Sequence, residues 1–223
     1  GRDELWQGRG EAGYVLAASW HAAFCETRPQ ARDCRDGGEA GAFSLHGLWP
    51  QPRSREYCGV PAADELADRK GPWSRLREPE IRPATRRELD RVMPGTAGDL
   101  HRHEWIRHGT CYGTGADEYF ADSILLLDRL NASGVRELFT SHTGRRLGAQ
   151  RVRRAFDEAF GDGAGQRVRL DCTKDGGRVI ISQLLVSLRG DISPESEFGE
   201  LLRSASPARG GCRDGTVDPA GLQ

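Results

Sequence analysis

In Phe43-Ser44-Leu45-His46-Gly47-Leu48-Trp49-Pro50, apolar residues crowd around one histidine. Gly37–Gly41 is a turn-rich approach to it, which predicts a strand over Phe43–Leu48. Working outward, Tyr14–Trp20 (YVLAASW) reads as a buried strand, and Val168–Cys172 and Val179–Leu188 as further strands. The middle of the chain carries helical signals. Thr85–Met93 has Thr85 as N-cap and Glu88 three residues on, a capping box, and Pro94-Gly95 ends it. His103–Cys111 is predicted helical in its first part, with Gly109 breaking it. Asp117–Leu130 places Tyr119, Phe120, Ile124, Leu127 and Leu130 at helical spacing. Val135–Thr140 and Gln150–Phe160 follow as helices, with Gly161 as a stop. Pro50–Pro83, rich in Pro, Arg and Asp, predicts a long mobile surface excursion, and the C-terminal tail is rich in Gly and Pro. Strands at both ends and helices between them predict an α+β fold, a central antiparallel sheet with several packed helices. Neither an internal repeat nor a long linker is evident, so a single domain over residues 1–223 is expected.

Size and composition fit a packed globule: 223 residues, 37% apolar, with five Trp, seven Phe and four Tyr. No run approaches the ~18 apolar residues of a membrane span, so no membrane partner is expected. A basic-then-apolar leader does not precede Gly1, and is read as absent or removed. The formal net charge is −1. That argues against a non-specific nucleic-acid coat, so an anionic substrate must be held by a local cationic site. All of the basic residues except Lys70 and Lys174 are Arg, a bias that reads as genome composition.

The cysteines are Cys25, Cys34, Cys58, Cys111, Cys172 and Cys212. None forms a C-x-x-C pair, which disfavours zinc-ribbon and thioredoxin readings. An even count at wide spacing points to structural disulfides and an oxidising compartment, secreted or periplasmic, with the pairing left open by the residues themselves.

The chemistry lies in two segments. The first is the stretch around His46. The second is His103-Glu104-Trp105-Ile106-Arg107-His108-Gly109-Thr110-Cys111. On a helix, His103, Glu104, Arg107 and His108 fall within an arc of about 140°, while Trp105 and Ile106 point elsewhere. Two imidazoles, a carboxylate and a guanidinium on one face are costly to bury without purpose. A solvated, salt-bridged helix is the bland alternative. A zinc site of the H-E-x-x-H kind would need its histidines four apart, whereas here they are five apart with Arg107 beside the metal. Phosphodiester cleavage through a ribose 2′-OH fits better. It needs a base, an acid and a cation near the phosphate, and no cofactor. A zinc hydrolase and a catalytically dead RNA-binding relative are the rival readings.

F-S-L-H-G-L-W-P and H-E-W-I-R-H-G-T-C closely resemble, in order, the two active-site segments of the ribonuclease T2 family. Tyr14–Cys25 looks like that family's first core strand leading to its early cysteine. Val92–Gly95, Asp117–Phe120 and the strand near Cys172 are similar to its bacterial periplasmic branch, ribonuclease I. The resemblance implies an endoribonuclease acting on single-stranded RNA. His46 and His108 would be the acid–base pair, His103 would bind phosphate or assist, and Glu104 and Arg107 would stabilise the phosphorane. The family more usually has Lys at the position of Arg107, and often Gln where Ser19 precedes the strand's Trp20. The resemblance also implies the bridges Cys58–Cys111 and Cys172–Cys212, leaving Cys25–Cys34. Trp49 and Tyr57 are candidate base-contacting residues. Trp20, Trp105 and Phe120 read as core, His21 and His142 as solvated, and His101 as a lesser site candidate. A monomer is expected.

Overall fold

A computed structural model describes residues 13–34 and 41–221; the part of the turn-rich approach at 37–40 lies outside the described residues. The sheet is built from β1 (Gly13–Trp20), β2 (Phe43–Pro50), β3 (Arg146–Gly148), β4 (Val168–Asp175), β5 (Arg178–Arg189) and β6 (Asp214–Thr216). β1 lies between β2 and β5, and β5 also pairs with β4, all antiparallel. Short β6 meets β5 in parallel at Ile180–Thr216 and carries β3. The helices are α1 (His21–Thr27), α2 (Ala62–Lys70), α3 (Pro83–Val92), α4 (Leu100–Arg107), α5 (Ala116–Asn131), α6 (Gly134–Ser141), α7 (Ala149–Phe160) and α8 (Phe198–Ser204). This is the expected α+β class.

The period of two along each strand separates core from site. Tyr14, Leu16, Ala18 and Trp20 of β1, with Leu184, Val186 and Leu188 of β5, enter the hydrophobic core. There they meet Tyr119, Phe120, Leu127 and Leu130 of α5, which packs against β1 and β2. Val15 of β1 and Gln183, Leu185 and Ser187 of β5 face the other way and floor a groove. The α5 C-terminus pins the start of β2: the Asn131 amide accepts from Phe43 N–H and donates to Phe43 C=O, each at 2.9 Å.

Several expectations need correction. α3 starts at Pro83, with Arg82 at its N-cap and no side-chain cap. Proline preset at the first helical position begins the helix earlier than the Thr85–Glu88 box predicted. The excursion after Pro50 is ordered: it contains α2 and a 3₁₀ turn at Trp73–Arg75. Asp64 and Glu65 in the first turn of α2, and Arg69 and Lys70 in its last, complement the helix dipole. The Pro/Gly-rich tail carries α8, whose Phe198, Leu201 and Leu202 are buried. α4 begins at Leu100, before His103, and its helical turns end at Arg107. None of the described helices is long and apolar enough to cross a membrane.

Three disulfides join Cys25–Cys34, Cys58–Cys111 and Cys172–Cys212, as the family resemblance implied. Cys58–Cys111, together with the Tyr57 N–H to Arg107 C=O hydrogen bond of 2.9 Å, ties the excursion to the end of α4. The bridges should differ in worth because they close loops of unequal length, with sequence separations of 53 for Cys58–Cys111 and 9 for Cys25–Cys34. By loop entropy, replacing Cys58 and Cys111 together by Ser should cost about 4 kcal/mol, and replacing Cys25 and Cys34 about 2.5 kcal/mol. Denaturant midpoints of the two double variants check the order; equal midpoints would contradict it.

Candidate active site

His46 is placed by a bulge. Across β1 and β2, Ala17 faces Gly47 and Ala18 faces Leu45, so His46 is the extra residue. An inserted residue bends the strand and re-aims its side chain. The His46 Nδ1–H donates to Gln183 Oε1 at 2.9 Å, and its Nε2 lies 3.6 Å from Glu104 Oε1. A second bulge, in β5, leaves Ser182 unpaired and sets Gln183 opposite Asp171 of β4. The Gln183 Nε2–H donates to Asp171 Oδ2 at 3.1 Å.

α4 delivers the second segment. His103, Glu104, Arg107 and His108 all line the groove, as a shared helical face predicted. His108 sits one residue past the helix as its C-cap, with its backbone N–H on Glu104 C=O at 3.0 Å. Glu104 is only 1% exposed. Trp49 Nε1–H donates to its Oε2 at 2.9 Å. Burial pushes the Glu104 carboxyl above its ordinary range, opposed by His46, His103, the Trp49 bond and Arg107. The Trp49 ring lies stacked near His108, centroids 5.4 Å apart, and edge-on to His46 at 5.2 Å. Its indole is thus committed to Glu104 and the histidines. Gly47 is required by the same packing, because a Cβ there would collide with Glu104 Oε2 and Trp49 Nε1. Gly109 is equally constrained by the Trp105 and Tyr119 rings.

The other two histidines of the site differ in environment. Burial, reinforced by Arg107, His103 and His46, lowers His108 to about 3, so its imidazole is neutral in ordinary buffers. His103 Nδ1–H donates to Asp68 Oδ1 at 2.8 Å, and its ring stacks on Trp73 at 4.5 Å. Asp68 is buried and also accepts from the Tyr57 hydroxyl at 2.7 Å. Burial alone would raise the Asp68 carboxyl, but the hydrogen bonds from His103 and Tyr57 prevail and hold it low. Burial and donation to Asp68 push the Tyr57 phenol well up. The ring of Tyr57, a candidate base contact, is buried and covered by the Arg69 guanidinium at 4.7 Å. Arg107 donates from Nε to Glu56 Oε1 at 2.9 Å, with Nη2 at 2.8 Å from the same oxygen. That leaves Nη1 and the remaining Nη2 hydrogen for an anion.

His101 is fully buried and bonded to Glu78 at 2.7 Å, away from the groove. His21, expected in solvent, is half-buried, and burial lowers its pKa against the pull of Asp33. Among the described residues, side chains placed to share a metal ion meet at His21, Cys25 and Cys34, where the two sulfurs are bonded to each other. The groove holds about 510 Å³ and a neighbouring cavity about 480 Å³; His46 and Gln183 line both. Sequence reasoning missed Asp68, Glu56, Gln183 and Asp171. The available signals were Asp68 in the last turn of α2, where an acid opposes the helix dipole, and the polar pair Ser182-Gln183 inside the apolar run of β5.

Imidazoles lining one groove with a dry carboxylate and a held guanidinium suit acid–base chemistry on an anionic substrate. The Ribonuclease T2 family model matches residues 12–196, and the chain belongs to that family. It is 26% identical to "Ribonuclease I" of Escherichia coli K12, over 80% of this chain and 75% of that protein. It is 36% identical to a "Ribonuclease" of Aeromonas hydrophila, over 51% of this chain and 45% of that protein. Among solved structures, RNase NT in complex with 5′-AMP superposes with a TM-score of 0.60 at 19% identity, covering 95% of this chain and 99% of that one. Human RNase T2 superposes with a TM-score of 0.55 at 18% identity, covering 80% and 85%.

Gly47→Ala should displace Glu104 and Trp49 while the core strands stay intact. Turnover on RNA should fall at least ~100-fold, the scale of a misplacement near 1 Å, with the far-ultraviolet circular dichroism unchanged. Near-normal turnover in the folded variant would show that the close packing at Gly47 is dispensable.

Proposed function

We propose that this protein is an endoribonuclease, one catalytic domain that cleaves single-stranded RNA through the ribose 2′-OH. The observation that carries this reading is the contrast between the two imidazoles. His108 is half-buried beside Arg107 and the other two imidazoles, which hold it in its neutral form, suited to take a proton. His46 has its Nε2 aimed at the Glu104 carboxylate at 3.6 Å, suited to hold one.

His108 removes the 2′-OH proton, and the 2′-oxygen attacks phosphorus. The P–O5′ bond breaks, and His46 gives its Nε2 proton to the departing 5′-oxygen. The product is a 2′,3′-cyclic phosphate. Slower hydrolysis reverses the roles: His46 deprotonates water, His108 protonates the 2′-oxygen, and a 3′-phosphate remains. Arg107, held by Glu56, and His103, held by Asp68, meet the charge that grows on the non-bridging oxygens. With that charge supplied by side chains, the reaction calls for no cofactor. Trp49 serves by keeping Glu104 in place. The disulfides support a secreted or periplasmic site of action.

Incubating RNA and DNA of one sequence, with and without EDTA, tests the mechanism. RNA should be cut equally in both and end in cyclic or 3′-phosphate, and DNA, which lacks the nucleophile, should survive. DNA cleavage, or RNA cleavage abolished by EDTA, would favour a metal-activated water instead. His46→Ala and His108→Ala should each lose ~10²–10⁴-fold in turnover; a loss below about tenfold would remove that histidine from the chemistry.

The His108 ring resonance should not titrate between about pH 5 and pH 8. The unfolded imidazole binds a proton near its ordinary value and the folded one does not. This group's contribution to stability is therefore full above about pH 6.5 and lost progressively as the pH falls. A midpoint near neutrality for His108 would show that burial and Arg107 do not hold it in the neutral form.

A further inference from the structure

Resting on the acid role of His46, we propose that Gln183, locked by Asp171, is a positioning residue that dictates which nitrogen of His46 carries the transferable proton. Gln183 stands in β5 with His46 on one side and Asp171 on the other, at 2.9 and 3.1 Å. A primary amide is a donor at one end and an acceptor at the other, and either end can in principle face a given neighbour. Here the neighbours remove the choice. An ionised carboxylate only accepts, so the NH₂ end must face Asp171. The carbonyl end then faces His46 Nδ1, which must bear hydrogen. Arg169 lies on the other side of Asp171, its Nε 3.2 Å from Oδ1.

The consequence concerns the neutral imidazole left after the proton has been given away. A free imidazole populates both tautomers. With Gln183 in place, the Nδ1–H tautomer is retained, and Nε2 is left as the basic nitrogen. That is the atom facing Glu104 and the groove. His46 therefore returns to its task with the lone pair aimed at the water or hydroxyl it must next engage. Without the relay, part of the population would present Nε2–H and turn the lone pair into the sheet.

The backbone serves this arrangement. The β2 bulge aims His46 back over β1 toward β5, and the β5 bulge brings Gln183 into register with Asp171. On the intervening strand, the residue opposite Gln183 is Ser19, whose short side chain leaves the amide room to reach His46. The relay matches the one on the other side of the groove, where Tyr57 and Asp68 hold His103.

Long-range ¹H–¹⁵N spectra of uniformly labelled protein read the tautomer directly, without activity. In the wild type, neutral His46 should show a protonated Nδ1 and an unprotonated Nε2; the opposite pattern, or two averaged nitrogens, overturns the proposal. Gln183→Met keeps the length and removes both hydrogen bonds. It should average the two nitrogens and lower kcat about 10–100-fold, the usual worth of a group that orients an imidazole, with KM little changed. Asp171→Ala, which does not touch His46, should shift the tautomer the same way by freeing the amide to flip. A folded Gln183→Met protein with wild-type nitrogens and wild-type kcat would reduce Gln183 to packing. The underlying reading fails separately: if His46→Ala stays active, the acid assignment is wrong whatever the spectra show.

Discussion

Removing the Glu104 carboxylate from water is the constraint to which the rest of the site answers. A carboxylate so dry is costly unless hydrogen bonds and nearby positive groups compensate. The compensation is assembled from two places in the chain. β2 contributes the Trp49 indole N–H, the His46 imidazole and, through Gly47, the empty volume into which the carboxylate fits. α4 contributes His103 and Arg107. Because Glu104 needs both elements, it fixes the distance between the segment that carries His46 and the segment that carries His108. The Cys58–Cys111 bridge secures the same juncture covalently from the far end of α4.

The electrostatics of the three imidazoles follow from what each is bonded to rather than from their shared chemistry. His103 is backed by the Asp68 carboxylate, and His46 by a neutral amide on one nitrogen and Glu104 beyond the other. Among the described residues His108 has no carboxylate partner at hydrogen-bond distance, and partial burial beside Arg107, His103 and His46 disfavours its charged form. A single residue type is thereby set in three different environments within one groove. The cations are local as well. With a formal net charge of −1, the chain has no general attraction for a polyanion, and arginines such as Arg107 and Arg169 are placed in the groove instead.

What was legible in the sequence was what depends on neighbours along the chain. The run Tyr14–Trp20 and the spacing of Tyr119, Phe120, Ile124, Leu127 and Leu130 are local patterns, and they gave β1 and α5 to within a residue or two. The order of strands and helices gave the α+β class. His46 stood out as one histidine in an apolar strand, and His103, Glu104, Arg107 and His108 as polar groups clustered within a few residues; all five line the groove. Even local rules compete, however. At α3 the preset backbone of Pro83 prevailed over the Thr85–Glu88 box.

Tertiary structure alone decided the partners. Asp68 is 35 residues from His103, Gln183 is 137 from His46, and Glu56 is 51 from Arg107. No periodicity links such pairs, because they are brought together by strand pairing in the sheet and by the packing of the segment after Pro50 against α4. The same folding turned Tyr57 from an exposed loop aromatic into a buried donor to Asp68. The sequence by itself determined which groups are capable of acid–base chemistry, since that is a property of residue types. Packing determined how each is protonated and aimed, since burial and hydrogen-bond geometry belong to the folded environment and not to the residue.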